Sequence, residues 1–148
     1  MNAVRFFSKE EKESIKSAVQ EAELNTSGEI RVHIDNNCKE DVLDRAAWWF
    51  GKLEMHKTEQ RNGVLFYLAV KDKKFAILGD AGINAVSPDD FWDAIKEKML
   101  SHFKEEEFVT GLREGILMAG QALKEHFPHQ DDDVNELSDD ISFGGDKS

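Results

Sequence analysis

The sequence predicts a small α/β sandwich, with helices packed on a short mixed β-sheet in the order α-β-α-β-β-α-α. Three observations predict it. The chain has 148 residues, the size of one domain, with 40% apolar residues, ten Phe and three Trp to build a core. Apolar residues recur at helical spacing in four segments and at strand spacing or in short continuous runs in three. Turn signals rich in Gly, Asn and Asp separate these segments.

The elements follow in order. Ser8-Lys9-Glu10-Glu11 is a capping box that opens a helix burying Ile15, Ala18, Val19 and Ala22 and ending near Asn25. Glu29 to Asp35 alternates, with Ile30, Val32 and Ile34 on a buried face and Glu29, Arg31, His33 and Asp35 on the other. Helical spacing returns over Asp41–Met55, with Val42, Ala46, Trp49 and Leu53 as the stripe. Val64 to Val70 is apolar on both faces and reads as the central strand. Lys71-Asp72 then links it tightly to Lys73–Gly79, which makes the pair an antiparallel hairpin.

A glycine-bearing loop, Gly79 to Asn84, follows. Ser87 is expected to cap the next helix, with Pro88 at its first position and Phe91, Ile95, Met99 and Phe103 buried. The last helix buries Phe108, Leu112, Ile116, Ala119 and Leu123, and its Gly111, Gly115 and Gly120 point to close packing. Residues 1–127 form the domain. Residues 128–148 hold seven acids against one lysine and are expected to form a mobile acidic tail.

Charge and cysteine count exclude several functions. Nineteen bases against 30 acids give a net charge of −11, which disfavours nucleic acids and anionic membranes as partners. No apolar run is long enough to span a membrane, and no apolar stretch follows a basic start. A cytoplasmic protein is the expectation, consistent with the single Cys38, which also precludes an internal disulfide or a four-cysteine metal site.

If the first strand runs parallel to the central one, three loops meet at one sheet edge. They are Ser27 to Glu29, Arg61 to Gly63, and Asp80 to Asn84. Glu29 and Asp80 would supply carboxylates for Ca²⁺, Mg²⁺ or Mn²⁺. Ser27, Gly28, Arg61, Asn62, Gly82 and Asn84 would bind a ligand, with Arg61 suited to a phosphate or carboxylate. The plainer alternative is that the glycines serve turns and the charges form a cross-loop ion pair. Trp48 lies at the margin of its helical stripe and is either partly buried against another helix or a partner anchor.

Other constellations lack parts. Asp131-Asp132-Asp133 resembles a calcium loop, but Glu136 and Ser142 stand where an EF-hand needs Gly and Glu. His126 and His129 have Pro128 between them and no third ligand nearby. Cys38 has no glycine-rich anion cradle. No P-loop, Gly-x-Ser-x-Gly or recognised phosphatase motif occurs.

Four stretches in order carry a family resemblance: Thr26-Ser27-Gly28-Glu29-Ile30-Arg31-Val32, Arg61-Asn62-Gly63-Val64-Leu65, Gly79-Asp80-Ala81-Gly82-Ile83, and Phe108-x-x-Gly111-Leu112-x-x-Gly115-Ile116. Over roughly residues 5–127 the chain resembles TPM-domain proteins. That family is named from a thylakoid-lumen protein, a photosystem II repair protein and a nematode receptor auxiliary subunit. The ending Ile141-Ser142-Phe143-Gly144-Gly145 resembles a short cytosolic bacterial branch. The resemblance implies an α/β sandwich. It also implies weak acid phosphatase activity with divalent-metal binding, as ascribed to some members, or an assembly or repair role, as ascribed to others. Most members are exported or membrane-anchored, so roles tied to the lumen or membrane do not carry over.

Two functions are thus expected. One is a non-catalytic interaction module for an unknown protein partner, through the edge loops or Trp48. The other is a low-efficiency metal-dependent phosphatase, with Glu29, Asn62 and Asp80 on the metal and Arg61 on the phosphoryl group. The second lacks an evident general base.

Overall fold

In the computed structural model, which describes residues 6–129 and 140–144, β2 (Gly63–Ala69) is buried along its whole length. It lies between β1 (Glu29–Asp35), which it pairs in parallel from Glu29↔Gly63 to Asp35↔Ala69, and β3 (Lys74–Gly79), which it pairs antiparallel. The seven-residue apolar run therefore occupies the interior strand, as its two apolar faces require. Outside β1 lies β4 (Ser142–Phe143), giving the sheet order β3-β2-β1-β4.

Helices cover both faces of the sheet. The main core joins Ile30, Val32, Ile34, Val64, Phe66, Leu68 and Ile77 to α1 (Lys9–Glu23), α4 (Asp93–Lys104) and α5 (Phe108–Leu123). A smaller core joins Leu65, Tyr67, Ala69 and Ala76 to Ala46 of α2 (Val42–Lys52), with Val42, Trp49 and Leu53 packed around it. The capping box of α1 is formed: Glu11 N–H donates to Ser8 Oγ at 3.0 Å and Ser8 N–H to Glu11 Oε1 at 2.8 Å. Asp41 caps α2 by accepting from the Leu43 and Asp44 amides.

The structure departs from expectation in four places. The hairpin turn takes Val70 to Lys73, four residues rather than two, with Lys73 at φ 53°. The glycine loop contains a helical turn, α3 (Ala81–Asn84), because Asp80 turns its carboxylate onto the Ala81 amide at 2.7 Å. Ser87 does not cap α4. Its hydroxyl is committed to the Ile83 carbonyl at 2.5 Å, Pro88 to Trp92 form turns, and α4 starts at Asp93. Finally, residues 140–144 return to the sheet as β4, where Gly144 N–H donates to the Ile34 carbonyl at 2.9 Å.

Of the α5 glycines, Gly111 and Gly115 make room for the Phe103 and Met99 side chains of α4, and Gly120 lets α5 approach the backbone of α1. A Cβ on Gly120 would sit 2.9 Å from the Ala22 Cβ and 3.0 Å from its carbonyl oxygen on α1. Gly51 of α2 has nothing within 4 Å of a Cβ. Gly120→Ala should therefore destabilise the domain by about 1–3 kcal/mol through forced helix separation. Gly51→Ala should stabilise it by about 0.5–1 kcal/mol through backbone entropy. Urea unfolding midpoints of the two variants check the opposite signs.

Candidate functional site

Parallel pairing of β1 with β2 brings the three loops to one edge of the sheet. Ser27 lies against the Arg61–Asn62 segment: Asn62 Nδ2 donates to the Ser27 carbonyl at 3.3 Å and Gln60 Nε2 to Ser27 Oγ at 3.4 Å. The Ser27 amide donates to the Phe127 carbonyl at 2.8 Å, and Gly28 N–H to Thr26 Oγ1 at 3.1 Å. Glu29 is buried at the start of β1, its amide donating to the Asn62 carbonyl. Arg61, at φ 53°, sends Nε and Nη2 to the two oxygens of Asp80, both at 2.8 Å. That pairing raises the guanidinium pKa above its ordinary value, with the hydrogen bond to Asp80 as the main cause. Gly82 N–H donates to the Arg61 carbonyl at 2.8 Å, and a Cβ there would meet the Gln60 carbonyl oxygen at 2.2 Å. Asn84 Nδ2 reaches the Gly79 carbonyl at 3.2 Å.

This edge largely satisfies itself. Asp80 has its oxygens on Arg61 and on the first amide of α3, so a cation there would have to displace the guanidinium. One group stands apart: the Asn62 side-chain oxygen is buried with no hydrogen-bond partner. A lone buried amide oxygen is the kind of acceptor that a cation or an incoming N–H satisfies.

Trp48 is 50% exposed on the outer side of α2, as expected at the margin of the stripe. Arg45 lays its guanidinium 4.7 Å from the ring centroid and Lys52 Nζ lies at 6.0 Å, so cations flank the indole. Cys38 is buried, with its thiol on the Glu40 carbonyl. The Asp131–Asp133 run lies outside the described residues.

The principal polar cluster escaped sequence reasoning. Alternation puts His33 and Asp35 on the polar face of β1, yet both are buried, because α2 closes over that face. Asp35 Oδ2 accepts from Tyr67 Oη at 2.6 Å and Trp49 Nε1 at 3.0 Å, with Arg45 Nε at 3.5 Å. Asp35 Oδ1 accepts from His33 Nε2 at 3.0 Å, and His33 Nδ1 lies 2.7 Å from Ser142 Oγ on β4. The His33 ring stacks on Trp49 at 3.7 Å between centroids.

Desolvation by burial lowers the His33 pKa, so the imidazole is neutral near pH 7. The tautomer with hydrogen on Nε2 meets every partner: Nε2–H donates to Asp35 and Nδ1 accepts from the Ser142 hydroxyl. For Asp35, burial alone would raise the pKa, but hydrogen bonds from His33, Tyr67 and Trp49 hold it below the ordinary value. Burial and the Asp35 contact push the Tyr67 phenol far up. The sequence did carry a signal, since a Trp at a stripe position facing a strand of alternating polar residues needs a polar partner for its N–H.

The family model described as TPM domain matches residues 2–122. The BA42 protein of the psychrophilic bacterium Bizionia argentinensis, solved by NMR, is 48% identical over 95% of this chain and 97% of that one, with a TM-score of 0.90. The N-terminal domain of a P. gingivalis protein shares the fold at 19% identity and TM-score 0.68, covering 85% of this chain and 82% of that one. The N-terminal domain of the cg2496 protein of Corynebacterium glutamicum does so at 12% and 0.64, covering 92% and 80%. No curated protein gives a significant match.

Folded His33 binds its proton below the ordinary 6.5. As pH falls from about 6.5, the unfolded chain takes up a proton that the folded chain refuses, so stability should drop on acidification. Denaturant midpoints of the wild type should fall between pH 7 and pH 5, and the slope should flatten in His33→Gln. Tyr67→Phe should cost about 1–3 kcal/mol at pH 7, the cost of removing one donor from a buried carboxylate.

Proposed function

The chain belongs to the TPM-domain family, and from that premise we propose that it acts as a protein-interaction module rather than as an enzyme. The observation that carries the reading is the half-exposed Trp48 between Arg45 and Lys52. A rigid aromatic anchor ringed by cations suits a partner segment that pairs an apolar contact with carboxylates. The helix bearing it is held firmly from beneath, because Trp49 and Arg45 reach the buried Asp35. The module works in the cytoplasm, where a lone buried thiol such as Cys38 is stable unpaired. Among the described residues no helix is long and apolar enough to cross a membrane.

The second reading is metal-dependent phosphomonoester hydrolysis at the three-loop edge, and the unpartnered Asn62 oxygen is what favours it. Asn62 and Glu29 would hold Ca²⁺, Mg²⁺ or Mn²⁺, and the ion would supply a Lewis acid and an activated water. Arg61, released from Asp80, would orient the phosphoryl group. The weakness of this reading is the proton acceptor. The one buried histidine among the described residues, His33, lies four positions along β1 from Glu29, about 13 Å at ~3.3 Å per residue. It is also committed to Asp35 and Ser142.

Phosphomonoester turnover measured with each cation should be indistinguishable among wild type, Asn62→Ala, Glu29→Gln and Asp80→Ala. A cation-dependent rate abolished by these substitutions would reverse the choice between the two readings. Trp48→Ala should lose a partner that wild type retains at matched expression. Leu24→Ala, which alters the distant and more exposed Leu24 (70%), should keep it.

A further inference from the structure

The outer edge of β1 is built to read the sequence of the strand beside it. Five consecutive residues are recognised there, three through polar contacts and two by the main core. Asp140 meets Lys16 Nζ at 2.7 Å, and Ile141 packs on the main core. The Ser142 hydroxyl meets His33 Nδ1 at 2.7 Å and lies 3.3 Å from the Val32 carbonyl. Phe143 packs on the core with Lys12 Nζ 5.1 Å from its ring centroid. Gly144 donates its N–H to the Ile34 carbonyl. Any side chain at 144 is excluded, because a Cβ would lie 1.8 Å from Asp35 Oδ1.

Main-chain pairing with alternating side-chain readout is how a sheet edge recognises an extended peptide. Here Ser142 points to the α2 face and Phe143 to the α1 face, as a period of two requires. The pairing itself is short, His33↔Ser142 and Ile34↔Phe143. A two-residue ladder is a small barrier to exchange, so specificity resides in the side chains.

We propose that this edge is a strand-acceptor site for the pattern acid–apolar–Ser–aromatic–Gly, and that its occupant in trans is the Asp140–Gly144 strand of a second copy of this chain. The site is distinct from the Trp48 surface and does not depend on that reading. The argument for a second copy is the sequence itself: all five recognised positions are met by this chain's own strand. A strand from another copy makes the same contacts as the strand in cis, so concentration alone decides between them. The strand in cis competes at an effective concentration of order mM, so single chains close on themselves in dilute solution. Exchange follows where chains are crowded or where the strand in cis is impaired.

Full-length variants separate donor from acceptor. Gly144→Val removes a usable strand and leaves the acceptor intact. Lys12→Glu/Lys16→Glu impairs the acceptor at two half-buried positions outside the core, and His33→Gln impairs it at the serine contact. Native mass spectrometry of Gly144→Val mixed with either acceptor variant should show a heterodimer that neither variant forms alone. The peptide Asp-Asp-Ile-Ser-Phe-Gly-Gly should bind Gly144→Val at least about tenfold tighter than wild type, since no strand in cis competes. Amide shifts on β1 and α1 should report that binding, and the same peptide with Ser→Ala should bind more weakly. No peptide binding by a folded Gly144→Val chain would overturn the acceptor site. Peptide binding without a heterodimer would overturn the second copy as its occupant.

Discussion

A buried carboxylate organises this molecule. Asp35 sits at the end of β1 out of water, and an ionised group there survives only if donors surround it. Its donors come from separate parts of the chain: His33 beside it on β1, Tyr67 on β2, and Trp49 with Arg45 on α2. Each donor fixes one relation. Tyr67 fixes the register of the parallel pair, Trp49 and Arg45 fix α2 on the sheet, and His33 turns its far nitrogen to β4. Removing the carboxylate's partners would strand a charge, so the position of α2 and the docking of Asp140–Gly144 are tied to one site.

The same constraint gives the two ends of β1 different chemistry. At its beginning, the three loops hold an ion pair, a short helix N-terminus and an orphaned amide oxygen. Arg61 and Asp80 neutralise each other there, which leaves little for a substrate to engage without rearrangement. At its end, the donors around Asp35 face inward and leave neither carboxylate oxygen without a partner. What reaches solvent above them is Trp48, carried on a helix whose inner side is fastened to Asp35. A firmly held exposed aromatic is better suited to contact than to turnover.

Sequence pattern located the helices and the three main strands because burial is periodic. Val64–Val70 announced a strand covered on both sides, Ser8 with Glu11 announced a helix start, and the α5 glycines announced close packing, which the structure places against α4 and α1. The meeting of the three loops at one edge was legible only on the condition that the first strand runs parallel to the central one, and the parallel β1–β2 pairing meets that condition. His33 and Asp35 were not. Alternation assigns polar residues to water, and it fails wherever a second helix covers the polar face and supplies partners. Ser87 failed for a related reason: a hydroxyl beside a proline has two local uses, and the end of α3 claimed it.

The fold class, the order of the main helices and strands, the capping box of α1 and the family resemblance were all legible in the sequence. All of these rest on local propensity and on which residues avoid water, which neighbours along the chain encode. Long-range packing is what pairs Arg61 with Asp80, buries Asp35 among His33, Tyr67, Trp49 and Arg45, and returns the acidic tail at Ser142–Phe143 to complete the sheet. Those contacts join residues up to 109 positions apart, as between His33 and Ser142. A hydrogen bond between two such side chains leaves no period in the sequence, because it depends on where the backbone has already brought them.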